Sequence, residues 1–232
     1  MIILAAVVKY PLILVNFKTY VESQAGKALA IAKAAEKVGM EYGVCIAVAP
    51  QVIDIPLISM NSTVPIFSQH FDPDLPGAHT GYITLESIKE SNACGSILNH
   101  SEHRLRVDII EDAIKRCKLL GLLSCLCANT STVGSALSLL GPDMIAIEPP
   151  ELIGSGISVS KAKPEIITES VKMIRAVNKN VHILCGAGIT TGEDVAISIK
   201  LGAEGILVAS GVVKAKDPRS ILEDFARSIT KH

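Results

Sequence analysis

Short apolar runs recur along the chain at 12–16, 44–49, 64–69, 96–99, 122–128, 144–148, 182–186 and 206–209, each closing on a small, polar or charged residue. Their wealth of Ile, Val and Leu predicts strands buried on both faces, as in a parallel sheet covered by helices. Between these runs the apolar positions change to helical spacing. Ser23 precedes an Ala/Leu-rich stretch that carries Leu29, Ala32 and Ala35 on one face and closes near Gly39. Ile110, Ile114 and Cys117 share another face, with Glu111–Lys115 and Asp112–Arg116 as exposed i,i+4 pairs and Gly121 as the stop. Thr190 with Glu193 reads as a capping box, and Asp217-Pro218 as an N-cap followed by proline at the first helical position. Eight strand–helix alternations without a Ser-, Pro- or Gly-rich linker predict one closed (β/α)8 barrel domain over residues 1–232. An open doubly wound sheet is the alternative. Because such barrels commonly run to about 250 residues, some helices here are expected to be short.

Composition narrows the partners. With 49% hydrophobic residues, 3% aromatic, no Trp and a mean hydropathy of +0.41, the core is aliphatic. Twenty-two basic residues against 23 acidic, with no long Lys/Arg run, leave no electrostatic footprint for nucleic acid or an anionic membrane, so a small molecule is the expected partner. The six cysteines stand in apolar stretches without a C-x-x-C frame and read as buried free thiols. Residues 1–15 are almost wholly apolar, but Lys9 and Pro11 interrupt them. Eight apolar residues fall far short of the roughly 20 needed to span a bilayer, and no basic segment precedes them. A cytoplasmic protein is expected.

In a barrel of this kind the active site stands at the C-terminal strand ends. Strand one ends in Asn16-Phe17-Lys18-Thr19, where alternation lets Asn16 and Lys18 point to one side and the ammonium hold an anionic substrate. A solvated lysine beside a turn asparagine is the bland reading. Strand four ends in Asn99-His100-Ser101-Glu102-His103-Arg104. A His at the start of a helical turn lies near free backbone N–H groups, which favour a neutral imidazole able to donate to a carbonyl oxygen. The alternative is a turn in which Ser101 caps a short helix. Glu148 follows four apolar residues, so it should be half desolvated, and a carboxylate stripped of water is a stronger base. The segment after it has prolines at one end and glycines at the other, as in a hinged lid; a plain Pro-rich connection is the other reading. Strands seven and eight end in Cys185-Gly186-Ala187-Gly188 and Val208-Ala209-Ser210-Gly211, small residues that let backbone N–H groups approach a phosphate.

Asn16-Phe17-Lys18-Thr19, Asn99-His100-Ser101-Glu102, Ile147-Glu148-Pro149-Pro150 and Ile153-Gly154-Ser155-Gly156, in that order, resemble triosephosphate isomerase. The short chain, the 148–154 segment and Cys185-Gly186-Ala187-Gly188 resemble its archaeal branch. The resemblance runs from about Pro11 to the end and implies a TIM barrel that interconverts dihydroxyacetone phosphate and D-glyceraldehyde 3-phosphate through an enediolate, in glycolysis and gluconeogenesis, with no cofactor or metal. It implies Glu148 as the base, His100 as the electrophile, Lys18 as the cation, Asn16 as a further donor and Glu102 as a partner of Lys18 and His100. Ile153, Gly154, Gly188, Ala209 and Ser210 would present backbone N–H groups to the phosphate beneath a water-excluding lid. A homotetramer is implied, with His79-Thr80-Gly81-Tyr82 similar to an interface loop although Tyr82 stands where an acid is common. The lid and the strand-seven loop depart from the bacterial and eukaryotic pattern, at Pro150-Glu151 and Gly186-Ala187-Gly188. Two rivals remain: a phosphate-binding barrel of the ribulose-phosphate epimerase or indole-glycerol-phosphate synthase sort, and a silent barrel that binds phosphometabolites. The epimerase needs paired His and Asp metal ligands, and His70, near the end of strand three, shows no matching acid in the sequence.

Overall fold

The computed structural model describes residues 7–149 and 163–230. Within them eight parallel strands form one sheet: β1 (Leu12–Asn16), β2 (Cys45–Ala49), β3 (Phe67–Ser68), β4 (Gly95–Leu98), β5 (Leu123–Ala128), β6 (Met144–Ile147), β7 (His182–Gly186) and β8 (Gly205–Val208). Their order is β2-β1-β8-β7-β6-β5-β4-β3. The ends of that order meet, because Val48 bridges Ile66 and the Val48 N–H donates to the Pro65 carbonyl at 3.0 Å. The sheet thus closes into a barrel, and the open doubly wound alternative falls. Strand β3 keeps two residues of the six expected, since Pro65 has no N–H to give to a ladder.

Helices α1 (Gly26–Tyr42), α2 (Ile55–Ser59), α3 (Leu85–Glu90), α4 (Val107–Leu120), α5 (Ser131–Ser138), α6 (Pro164–Val177), α7 (Gly192–Lys200), α8 (Ser210–Val213) and α9 (Pro218–Thr230) lie outside the barrel. The trimming falls on α2 and α3, which span five and six residues. Period-two alternation divides the core in two. Leu12, Leu14, Phe67, Ile97, Met144, Leu184 and Leu207 fill the barrel interior. Ile13, Val15, Ile46, Val48, Ile145 and Ile206 face outward to meet Ile31, Ile114, Ile174 and Phe225 from the helices. Five of the six thiols are buried and Cys45 is half-buried, all free.

Several local expectations shift by a turn or less. Ser23 lies in a 3-10 turn (Val21–Ser23) and donates to the Phe17 carbonyl at 2.8 Å, so it ties the end of β1 instead of capping α1. Helix α1 runs through Gly39 to Tyr42 and stops at Gly43, whose φ is 68°. Gly39 serves close approach: a Cβ there would stand 3.0 Å from the Val44 carbonyl oxygen. Lys115 pairs with Glu111 at 2.7 Å as expected, but Arg116 turns away from Asp112 into the α3–α4 contact and pairs with Glu86. The capping box stands one residue later, between Thr191 and Asp194. The shorter Asp194 carboxylate collects the N–H groups of Thr190 and Thr191 at 3.1 and 2.9 Å. Gly121 ends α4 and Asp217 caps α9, donated to by the Arg219 N–H at 3.1 Å, both as read.

Candidate active site

Glu148 shares the parity of Met144 and Ala146, which point into the barrel, and its backbone N–H continues the ladder to the Ala128 carbonyl at 2.8 Å. Its carboxylate is therefore carried to the top of the interior, where the residue is only 6% exposed. Oε2 is buried with no hydrogen-bond partner among the described residues. A buried anionic oxygen left without a donor is costly. Space for the side chain comes from Gly186 at the end of β7, where a Cβ would lie 2.4 Å from Glu148 Cγ. Beneath it the Cys127 thiol is held well above its usual pKa, first by burial and then by the charge of Glu148, so it stays protonated.

Plain alternation beyond β4 would turn His100 outward, because Ile97 points in and Leu98 out. Asn99 prevents this with a left-handed φ of 57°, a conformation Asn tolerates better than most residues. Its side chain is fixed by donation to the Cys127 carbonyl at 3.0 Å and by the Leu105 N–H at 2.9 Å, while Arg104 caps its carbonyl at 2.9 Å. His100 thereby enters the cleft, 7% exposed, with Nε2 at 3.5 Å from Glu148 Oε2. The Glu102 N–H donates to Nδ1 at 3.2 Å. A ring nitrogen that accepts carries no proton, so a neutral ring has its proton on Nε2, directed at the cleft. The segment after His100 is a turn, closed by the His103 N–H on the His100 carbonyl at 2.8 Å, and α4 starts only at Val107. Ser101 caps no helix.

Lys18 lies across the cleft with Nζ at 2.7 Å from Glu102 Oε1, which joins the ends of β1 and β4. Its own φ is 46°, strained for a residue with a long side chain. Both polar groups of that backbone are clamped by side chains: Asn16 Oδ1 accepts the Lys18 N–H at 2.9 Å, and Gln69 Nε2 donates to the Lys18 carbonyl at 2.8 Å. The same Gln69 nitrogen reaches the Ala49 carbonyl at 2.9 Å, tying β1, β2 and β3 together. Asn16, Lys18, His100 and Glu148 line one cleft with the loops after β7 and β8.

At the far side of that cleft Ala187 and Gly188 have φ of 72° and 71°, and Ser210 opens the short helix α8. The first N–H groups of a helix have no partner within it, so those of Ser210 and Gly211 are available to an anion. Gly188, Ala209 and Ser210 all line the cleft. Ile153 and Gly154, expected to complete the phosphate contacts, lie outside the described residues, as does most of the expected lid.

The structure brings Asn16, Lys18, His100, Glu102 and Glu148 together and adds supports that the sequence reading passed over. Gln69 holds the Lys18 backbone, Asn99 and Arg104 fix the turn before His100, and Gly186 leaves room for Glu148. His70 does have an acidic neighbour, Asp72 at 3.5 Å, and its ring lies 4.1 Å from that of His103. No group of three or more His, Cys, Asp or Glu side chains among the described residues is placed to hold a metal ion, so the epimerase's ligand set is not assembled there.

The triosephosphate isomerase family model matches residues 11–226. The triosephosphate isomerase of Methanocaldococcus jannaschii is 48% identical over 218 residues, covering 94% of this chain and 100% of that protein. Those of Methanothermus fervidus and Saccharolobus solfataricus are 48% and 49% identical, covering 93% and 95% of this chain and 97% and 96% of theirs. With a barrel whose rim gathers a desolvated carboxylate, an imidazole and an ammonium, the chain belongs to the triosephosphate isomerase family.

Proposed function

We propose that the chain isomerises dihydroxyacetone phosphate and D-glyceraldehyde 3-phosphate with Glu148 moving the proton between the two carbons. The observation that carries this reading is the buried, undonated Oε2 of Glu148 facing the imidazole of His100 at 3.5 Å. A buried carboxylate with one oxygen left without a donor is set to abstract a weakly acidic carbon-bound proton. As it does so, negative charge develops on the substrate oxygen, and the Nε2–H of His100 and the ammonium of Lys18 stand ready to stabilise it. Asn16 donates further, and Glu102 orients both Lys18 and His100. The N–H groups of Gly188, Ala209 and Ser210 hold the phosphate with those of Ile153 and Gly154, and the lid expected directly after Glu148 keeps water from the enediolate. A coupled assay with D-glyceraldehyde 3-phosphate tests the reading. The expected result is turnover without added cofactor, and none at micromolar enzyme contradicts it.

We also propose a single-domain protein of the cytoplasm, acting in glycolysis and gluconeogenesis and assembled as a homotetramer. Among the described residues no helix is long and apolar enough to cross a membrane. Support for assembly comes from Ile53, Met60, Leu75, Leu119 and Leu139, each 65–80% exposed, large apolar side chains that a second copy of the chain would cover. Light scattering at micromolar concentration should give four times the chain mass, and a monomer mass excludes the assembly.

A further inference from the structure

We infer that Lys214, seated over the Tyr20 ring, is a binding residue for the substrate's phosphate dianion. This rests on the isomerase reading and names a charge that reading lacks. Among the described residues Lys18 is the one lysine or arginine that lines the cleft, with Glu148 in the same wall and Glu102 paired to Lys18 from beside it. An excess of carboxylate over ammonium disfavours a dianion. Backbone N–H groups after β7 and β8 orient the phosphate, but they carry no net charge to offset this.

Lys214 follows the last residue of α8, and its N–H bonds the Ser210 carbonyl at 3.1 Å, so it stands one turn from the N–H groups that face the phosphate. Its Nζ lies 4.3 Å from the centroid of the Tyr20 ring, and Tyr20 itself lines the cleft between the β1 and β8 loops. A cation over an aromatic face is attracted by the ring quadrupole, which localises an otherwise mobile side chain. The ring thus holds a positive charge beside a residue that lines the cleft, where it acts on a dianion through solvent and is screened by salt. Such a charge acts on capture and affinity of the dianion more than on the chemical step.

The test compares the full-length protein with Lys214→Gln, Lys214→Arg, Lys214→Glu and the exposed control Lys216→Gln. Calorimetry with 2-phosphoglycolate and with inorganic phosphate, and kcat and KM in the coupled assay, are read at low and high ionic strength, with Tm alongside. Lys214→Gln is expected to weaken 2-phosphoglycolate and raise KM about fivefold at low salt, leave kcat within about twofold, and approach the parent as salt rises. Lys214→Arg should restore binding, Lys214→Glu should weaken it further, and Lys216→Gln should match the parent. The inference is overturned by Lys214→Gln binding unchanged at low salt, by an equal loss in Lys216→Gln, or by a salt-independent loss that tracks Tm. A parent that binds 2-phosphoglycolate but turns over no triose phosphate refutes the isomerase reading and leaves the Lys214 comparison intact, because binding is measured separately.

Discussion

The two ends of the barrel handle charge in opposite ways. At the N-terminal end, Glu204 pairs with both Arg175 and His182, and the Tyr10 ring stacks on His182 at 3.6 Å between centroids. Every member of that cluster has a partner. At the C-terminal rim, Glu148 keeps a buried oxygen without a donor, and three residues other than glycine, Lys18, Asn99 and Ala187, have positive φ. A satisfied ion cluster stabilises the fold and does nothing further. An unsatisfied carboxylate and left-handed side-chain-bearing residues cost stability, and the fold tolerates them where they pre-organise chemistry.

If that contrast is right, disturbing the rim should cost activity and disturbing the base should cost stability. Among substitutions that leave Glu148 itself in place, the largest effect is expected from Gly186→Ala, whose new Cβ meets Glu148 Cγ at 2.4 Å. Displacing the carboxylate by about 1 Å should lower turnover about a hundredfold, since misplacement on that scale costs about that much. Steady-state kinetics of the folded variant, with folding verified by circular dichroism, read the effect. Turnover near the parent value would mean that the position of Glu148 is not what the rim protects.

Next in size is Cys185→Ala. This thiol, beside the phosphate loop, is buried and pushed up to about 12, first by burial, so it is protonated and no nucleophile. The substitution should cost about 1–2 kcal/mol in urea unfolding through lost packing while leaving turnover within tenfold. A loss above a hundredfold in turnover would place Cys185 in the rim's machinery.

At the opposite end, Glu204→Gln removes the anion shared by Arg175 and His182. Because these side chains are about a third exposed, the cost should be about 1 kcal/mol in stability, with kcat/KM unchanged. The smallest effect concerns acid. Burial, helped by His103, lowers the pKa of His70 from its ordinary 6.5, with Asp72 opposing. As pH falls below 6.5 the unfolded chain takes up this proton before the folded one, so stability declines on the acid side and the term vanishes above it. His70→Gln should show a shallower decline between pH 7.5 and 5.5 in urea titrations, and an unchanged decline would assign it to other groups.

Much of this division was legible in the amino-acid order. The apolar runs located all eight strands, and alternation along β6 delivered Glu148 to the interior by parity alone. His100 is different, because parity would have sent it outward and only the left-handed turn at Asn99 brings it in. Nothing local in the sequence distinguishes that Asn from a turn residue, since its anchors are the Cys127 carbonyl and Arg104. Gln69 was invisible for the same reason: its two acceptors lie 51 and 20 residues away. Arg116 was assigned to the exposed face by spacing, whereas packing of α4 on α3 gives it Glu86. Periodicity reports which face a residue occupies, and a contact between distant loops has no period.

The central claim, that the undonated carboxylate at the rim is the base, is tested most directly by Glu148→Gln. The amide preserves size and hydrogen bonding but cannot accept a carbon-bound proton. Proton transfer by a positioned base contributes about 10²–10⁴-fold, so turnover should fall at least a hundredfold while 2-phosphoglycolate affinity changes by a much smaller factor. Turnover within tenfold of the parent would contradict the account and show that another group moves the proton.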